Sequence, residues 1–239
     1  MLVTMSHYFP ENASPIIVTG AGSRIGFDLV HALWITGYHP IVAVCHHPTD
    51  VFKVTPGIEV QVCDLTQEQQ RNELIAQLKA KYASFRGIIH NASVWLGDDL
   101  ESLRFMQALH VEAPYHLNLA LEEQLRAAPK ADIIHIGDET AQRGVLNHMG
   151  YASTKAALTN LTLSFAKKYA PSVRVNTVSP GFLLAPEGAD DAYREKAMSK
   201  ALIQAEPGSR PLIEAVLYLL AASYITGTDT VINGGRHLK

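Results

Sequence analysis

The chain has 239 residues, of which 47% are hydrophobic and 18% are charged. This composition excludes a mainly disordered chain, because it provides enough apolar surface to offset the entropy lost on folding. It fits a single globular domain. The formal net charge of −3 argues against binding of nucleic acid through overall charge.

Two features of the sequence indicate a reducing compartment and no membrane partner. Cys45 and Cys63 are the only cysteines and lie in apolar runs, which predicts two buried free thiols. Residues 1–14 contain no Lys, no Arg and no long apolar run, unlike a signal peptide or a membrane anchor. We expect these residues to form a flexible tail and the protein to be cytoplasmic.

Short apolar runs alternate with longer helical patterns along the chain. The apolar runs are continuous rather than alternating, which is typical of parallel strands that are buried on both faces. The sequence therefore predicts one α/β domain over residues 15–239, with a doubly wound parallel sheet of about seven strands and helices on both faces. Strands are predicted at 15–19, 41–45, 58–62, 87–90, 133–136, 173–178 and 230–232, and helices at about 27–36, 67–82, 103–127, 151–169 and 211–223.

The first predicted strand runs into a glycine-rich turn, Thr19–Gly26. Glycines at a turn between a strand and a helix let the backbone approach a pyrophosphate, and the first amides of the helix then point at it. The turn therefore predicts a dinucleotide site, and its candidate binding residues are Gly20, Ser23, Arg24, Ile25 and Gly26.

The end of the second predicted strand favours NADP over NAD. A carboxylate that binds a ribose hydroxyl is expected there, but the chain has His46 and His47 and no acid before Asp50. Arg24 in the turn adds positive charge. His46 and His47 either contact the ribose phosphate or are simply solvent-exposed. No further ligand spacing accompanies them, so we predict no metal site.

A tyrosine and a lysine four residues apart begin the fourth of the predicted helices. This spacing puts Tyr151 and Lys155 on one helix face. An ammonium group near a phenol favours the phenolate and lowers its pKa. The pair therefore predicts a proton donor that works at neutral pH.

Taken in order, these motifs resemble the short-chain dehydrogenase/reductase family from about Pro15 to the end of the chain. The resemblance implies a Rossmann fold, an NADPH cofactor and a homotetramer built on the helices that begin near Leu103 and Tyr151. It also implies adenine contacts from Asp64 and Leu65, further cofactor contacts from Asn91, Ala92 and Ser93, nicotinamide contacts from Pro180 and Gly181, and ribose contacts from Lys155.

The chain departs from the usual family pattern at position 138. The family normally has a serine there, which binds the substrate carbonyl, whereas this chain has Asp138. A carboxylate repels a developing alkoxide, but it suits a substrate whose ring nitrogens donate hydrogen bonds. The same change marks the pteridine reductases of this family. The alternative is a ketoreductase that has drifted in sequence.

An aromatic residue after the Asn-Ala-Ser run is a second resemblance to pteridine reductases. In that group the ring stacks the pterin against the nicotinamide, a role that falls on Trp95 here, although a core tryptophan is the alternative. Ser93 and Arg24 would then reach the pterin or the cofactor phosphates. The runs His90–Ser93, His110–Tyr115 and Gly234–Leu238 resemble bacterial members of the group.

Together these features predict reduction of a ring C=N bond of a dihydropterin by NADPH, with Asp138, Tyr151 and Lys155 as catalytic residues. Two alternatives remain: an NADPH-dependent ketone or ketoacyl reductase, and a regulator that senses NADPH without turnover. His110 replaces a family asparagine, and it either joins a proton path to Lys155 or is structural. Residues 183–207 form either a substrate lid or a plain surface helix.

Overall fold

The computed structural model describes residues 14–47 and 49–239. The predicted flexible tail falls mostly on residues 1–13, which lie outside the described residues. Its last member, Ser14, belongs instead to the folded domain, because it is buried and its Oγ lies 2.6 Å from Oγ of Ser84.

A parallel seven-stranded sheet forms the centre of the described chain, in the order β3-β2-β1-β4-β5-β6-β7. Chain order reverses between β1 and β4, and such a reversal opens a crevice at the carboxyl ends of the strands. The predicted Rossmann fold is therefore confirmed. The strands are β1 Ile16–Thr19, β2 Ile41–Cys45, β3 Ile58–Val62, β4 Gly87–His90, β5 Ala131–Ile136, β6 Val173–Pro180 and β7 Asp229–Ile232.

Helices cover both faces of the sheet. Successive strand residues point to opposite faces, so Ile17 packs in one core cluster and Ile16 in the other. The first cluster includes Leu117 and Phe165, and the second includes Leu29 and Leu219. The helices are α1 Arg24–Ile35, α2 Asp50–Val54, α3 Glu68–Lys81, α4 Leu100–Gln107, α5 Ala113–Ala120, α6 Glu122–Ala127, α7 Met149–Tyr169, α8 Asp191–Met198 and α9 Arg210–Ala221.

The long helix predicted over 103–127 is wrong as a single element. A π-helical turn, Ala108–Glu112, separates α4 from α5, and α6 follows as a separate short helix. Pro114 has no N–H to donate to the carbonyl of His110, so the regular hydrogen-bond ladder cannot continue. The turn places His110 in the interior, beneath the carboxyl ends of the strands.

The segment 183–207 contains a short surface helix, α8, which was one of the two alternatives predicted for this segment. α8 has eight residues, none of them buried, so it carries no apolar period that a sequence could display. Its N-terminus is capped by Asp190, which accepts a hydrogen bond from the Tyr193 N–H at 2.8 Å. Across the described ranges, no helix combines the length and apolarity needed to span a bilayer.

Candidate active site

One cleft of about 830 Å³ lies across the carboxyl ends of the central strands. Every residue predicted from the sequence for cofactor binding, substrate binding or catalysis lines this cleft. The sequence did not identify several apolar lining residues, because nothing distinguishes them from core residues. They include Phe105, Leu109, Phe182 and Leu212, whereas Leu183 and Leu184 lie in the segment 183–207 that was predicted as a possible lid.

The glycine-rich turn is closely packed against the loop after β4. A Cβ on Gly20, which has a φ of +66°, would lie 2.6 Å from Cα of Ala92, and one on Gly26 would overlap the carbonyl oxygen of Gly20. Only glycine fits such positions without strain. The Asn91 side chain donates hydrogen bonds at 3.2 Å to the carbonyl oxygens of Thr19 and Gly20, which fixes the turn.

The N-terminus of α1 faces the cleft with its amides available. In this described stretch, Ser23 makes no capping side-chain hydrogen bond and the first turn holds no acidic residue. Unpaired amides and the helix dipole favour an anion at this position. The turn therefore fits a dinucleotide pyrophosphate. Within residues 14–47 and 49–239, no group of three or more His, Cys, Asp or Glu side chains could hold a metal ion.

Arg24 combines a left-handed backbone with a contact across the cleft. Its φ of +50° is rare for a residue other than glycine, and such a conformation costs about 1–3 kcal/mol. Its guanidinium donates hydrogen bonds to the carbonyl oxygens of Leu184 at 3.2 Å and Ala185 at 3.0 Å. Arg24 therefore links the glycine-rich turn to the segment 183–207.

The β2–β3 side of the cleft carries the remaining predicted cofactor contacts. His46 and His47 are exposed there, with ring centroids 4.3 Å apart. Asp64 is half-buried, and its Oδ1 accepts hydrogen bonds from N and Oγ1 of Thr66 at 2.9 and 2.7 Å. This side therefore presents two imidazoles and one fixed carboxylate.

Tyr151 and Asp138 form a hydrogen-bonded pair. The Tyr151 hydroxyl donates to Oδ2 of Asp138 at 3.1 Å, and Oδ1 accepts from N and Oγ1 of Thr140 at 2.9 and 2.7 Å. Thr140 was not predicted, although an Asp two residues before a Thr is a known signal for such a local turn. The pair points a phenol and an acceptor carboxylate into the cleft.

The expectation that Lys155 lowers the pKa of Tyr151 is wrong. Burial, and after it the Asp138 carboxylate, raise the pKa of Tyr151 well above its ordinary value. The Lys155 ammonium nitrogen lies 5.6 Å from the Tyr151 ring centroid and donates to the carbonyl oxygen of Ile136 at 2.9 Å. Burial lowers the pKa of Lys155 to about 8, against an opposing effect of Asp138. Tyr151 is therefore a neutral phenol at neutral pH.

His110 is buried and joins two elements of the fold through its ring nitrogens. Its Nε2 accepts a hydrogen bond from the Val94 N–H at 3.1 Å, so Nδ1 carries the proton and donates to Oγ1 of Thr154 at 2.9 Å. Burial, followed by the nearby Lys155 charge, lowers the pKa of His110 to about 2. A neutral His110 therefore ties the loop after β4 to α7, which favours the structural interpretation.

Trp95 is an exposed wall of the cleft. Its side chain is 56% exposed, and its ring centroid lies 4.3 Å from that of Tyr151, at an interplanar angle of 57°. The alternative of a core tryptophan is therefore wrong. The ring lies where it can contact a flat ligand next to the Tyr151–Asp138 pair.

A family model described as enoyl-(acyl carrier protein) reductase matches residues 20–237. The chain belongs to the short-chain dehydrogenase/reductase family. This is an oxidoreductase family, and the order of motifs along the chain agrees with it.

Two curated members of the short-chain dehydrogenase/reductase family show high similarity over nearly the whole chain. A dihydromonapterin reductase of Enterobacter sp. (strain 638) is 38% identical over 234 residues, covering 94% of this chain and 97% of the relative. A dihydromonapterin reductase of Klebsiella pneumoniae is 38% identical over 240 residues, covering 96% and 99%.

The fold of this chain is similar to the folds of solved structures. The alternative dihydrofolate reductase FolM of Brucella canis, complexed with NADP, has a TM-score of 0.83 and 26% identity, with 95% of each chain covered. The NADPH-dependent 3-quinuclidinone reductase of Rhodotorula rubra has a TM-score of 0.87 at 22% identity, covering 100% of this chain and 97% of its own. That second similarity supports the fold alone.

Proposed function

We propose that this chain reduces a dihydropterin with NADPH. The observation that carries the proposal is the Asp138 carboxylate, which accepts the Tyr151 hydrogen bond at 3.1 Å beside the exposed ring of Trp95. A carboxylate at this position disfavours a substrate that develops negative charge on a carbonyl oxygen. It favours a flat heterocycle whose N–H groups donate hydrogen bonds.

The cofactor fits the N-terminus of α1 and the β2–β3 side of the cleft. The amides of Ser23, Ile25 and Gly26 would hold the pyrophosphate, because that helix end is free of capping and acidic side chains in the described chain. His46 and His47 would face the ribose phosphate. When bound, NADPH supplies the hydride. The Brucella FolM structures, which were solved with NADP, support this choice of cofactor.

The side chains of the cleft would position the substrate and transfer one proton to it. Asp138 Oδ2 orients the Tyr151 hydroxyl and accepts a hydrogen bond from the substrate ring. Tyr151 would pass its proton, directly or through a water, to the ring nitrogen next to the reduced carbon, and a proton from solvent would then restore the neutral phenol beside Asp138. Lys155 binds the nicotinamide ribose. Trp95 stacks on the pterin, and these fixed groups reduce the entropy that must be lost in the transition state.

The proposed substrate is dihydromonapterin, with dihydrofolate as a second substrate. The names of the Enterobacter and Klebsiella relatives support the first, and the name of the Brucella proteins supports the second. Arg24 and Ser93 line the same cleft and would contact the pterin. Residues 183–207, which Arg24 contacts through Leu184 and Ala185, would form the lid over it.

The assembly is proposed to be a homotetramer in the cytoplasm. Partly exposed apolar side chains on α5 and α7 are available for helix packing between subunits. They include Tyr115, Leu119 and Leu163. Cys45 and Cys63 are both free and buried, which fits a reducing compartment.

The test is consumption of NADPH with dihydromonapterin, dihydrofolate and a simple ketone offered separately. We expect rapid turnover of the pterin and little turnover of the ketone. Tyr151→Phe should reduce turnover by about 100-fold or more and leave NADPH binding intact. Turnover of the ketone alone would refute the proposal in favour of a ketoreductase, and NADPH binding without any turnover would favour a regulator.

A further inference from the structure

We propose that His148 is a positioning residue that sets the orientation of the Trp95 ring and thereby the affinity for the flat substrate. Neither the motifs nor the proposed mechanism uses this residue. This role rests on the proposed function, because the flat substrate is the same pterin. The contacts that hold the Trp95 ring lie within the protein and do not depend on the substrate.

The His148 ring is held at both of its nitrogen atoms. The Trp95 indole N–H donates to Nε2 of His148 at 3.2 Å, and the two ring centroids lie 4.3 Å apart at 40°. Since Nε2 accepts, the ring proton is on Nδ1, which donates to the carbonyl oxygen of Leu96 at 2.7 Å. The His148 ring therefore contacts the loop after β4 at two points, the Trp95 side chain and the Leu96 backbone.

The backbone of His148 is also fastened to that loop. Its φ of +60° lies in the left-handed region, which is uncommon for residues other than glycine. The His148 N–H donates to Oδ2 of Asp98 at 2.6 Å, and Oδ1 of Asp98 accepts from the Gly150 N–H at 3.2 Å. Strained backbone of this kind persists where the surroundings hold it, and it is frequent at binding sites.

These contacts connect the Trp95 wall to the start of the helix that carries Tyr151. Trp95 is more than half exposed, so an unrestrained indole would populate several rotamers. The hydrogen bond to His148 restricts the ring to a position 4.3 Å from Tyr151 before substrate arrives. Preorganisation of this kind increases affinity by avoiding an ordering cost on binding.

Two substitutions separate the role of the imidazole from that of the backbone. His148→Asn tolerates the left-handed conformation and keeps an amide near Nδ1 for Leu96, but it removes the acceptor for Trp95. His148→Gln extends an amide oxygen towards the position of Nε2 and should restore that acceptor. His31→Asn is the matched control, because it makes the same substitution at an exposed histidine of α1 that does not line the cleft.

The first readout needs no substrate. In a Trp34→Phe background, Trp95 is the single tryptophan, so its fluorescence reports its own surroundings. We expect His148→Asn to lower the emission anisotropy and shift the emission to longer wavelength, and His148→Gln and His31→Asn to change neither. An unchanged Trp95 signal in a folded His148→Asn protein would overturn the proposal.

The second readout is kinetic. With dihydromonapterin we expect His148→Asn to raise KM about 10-fold and to leave kcat within about twofold, with NADPH affinity unchanged and recovery in His148→Gln. A shifted Trp95 signal with an unchanged KM would also overturn the proposal. If the parent enzyme fails to turn over any pterin while the fluorescence shifts as expected, the proposed function fails and the control of Trp95 by His148 stands.

Discussion

The Tyr151 hydroxyl donates its hydrogen bond to Oδ2 of Asp138 at 3.1 Å, whereas the Lys155 ammonium donates to the carbonyl oxygen of Ile136. Asp138 precedes Tyr151 by thirteen residues and lies two residues after the end of β5. Burial, and after it the Asp138 carboxylate, raise the pKa of Tyr151 and so keep the phenol protonated in the resting site. The proton needed for reduction is thus stored on a phenol whose direction is set by its acceptor.

Replacing Asp138 should exchange one substrate class for another. Asp138→Ser removes the negative charge and restores a hydroxyl that can bind a carbonyl oxygen. We expect pterin turnover to fall by about 100-fold and ketone turnover to rise, measured as NADPH consumption with each substrate. Asp138→Asn is the control, since it removes the charge and retains the size of the side chain. A faster pterin reaction in Asp138→Ser would contradict the assigned role.

The affinity for NADPH should fall at alkaline pH. The pKa of Lys155 is lowered to about 8 by burial, so the ammonium is present below that pH and is lost as the pH rises through it. Since the charged form is expected to bind the ribose, the dissociation constant should increase up to tenfold per pH unit above about 8. Fluorescence titration with NADPH measures this. Lys155→Met should remove the inflection, and the exposed Lys79→Met should keep it.

Arg24 should matter for cofactor binding more than for stability. Arg24→Gly relieves the φ of +50° and removes the guanidinium that contacts Leu184 and Ala185. We expect the dissociation constant for NADPH to rise about 10-fold, which corresponds to the loss of one charge-assisted hydrogen bond. The melting temperature should not decrease, because glycine adopts this conformation without strain. A large fall in melting temperature with unchanged NADPH affinity would indicate a purely structural residue.

Acid should destabilise the protein through a buried histidine network. His90 Nε2 lies 2.8 Å from Oδ1 of Asn118, and the Asn118 amide nitrogen lies 3.2 Å from Nε2 of His135. Burial, only partly opposed by the Asn118 hydrogen bond, lowers the pKa of His90 from 6.5 to about 4. The unfolded chain therefore binds the proton first, and stability that is complete above about pH 6.5 is lost as the pH falls towards 4.

The expected loss is about 3 kcal/mol for His90. Urea unfolding at a series of pH values measures it. His90→Gln can still donate to Asn118 but does not titrate, so its unfolding free energy should depend less steeply on pH. His135 titrates in both proteins, so some dependence should remain in the variant. Identical pH dependence in the two proteins would show that His90 does not contribute.

The strands and the glycine-rich turn could be predicted from local sequence alone. A strand buried on both faces needs a continuous apolar run, so Ile41–Cys45 was predicted with the bounds it has. The edge strand Ile58–Val62 was also predicted with its bounds, although Glu59 and Gln61 interrupt its apolar residues. The turn could also be predicted, because a side chain at Gly26 would overlap the carbonyl oxygen of Gly20, six residues earlier in the chain. Both requirements act between residues that are near in the chain or repeat with a fixed period.

The electrostatics of the site were decided only by tertiary structure. Sequence spacing put Lys155 one helical turn from Tyr151 and so predicted the wrong direction for the Tyr151 pKa. The fold brings Asp138 to the hydroxyl and directs the Lys155 ammonium to a backbone carbonyl instead. Proton affinities depend on burial and on distances of a few ångströms between elements far apart in the chain, and these exist only once the sheet and helices have packed.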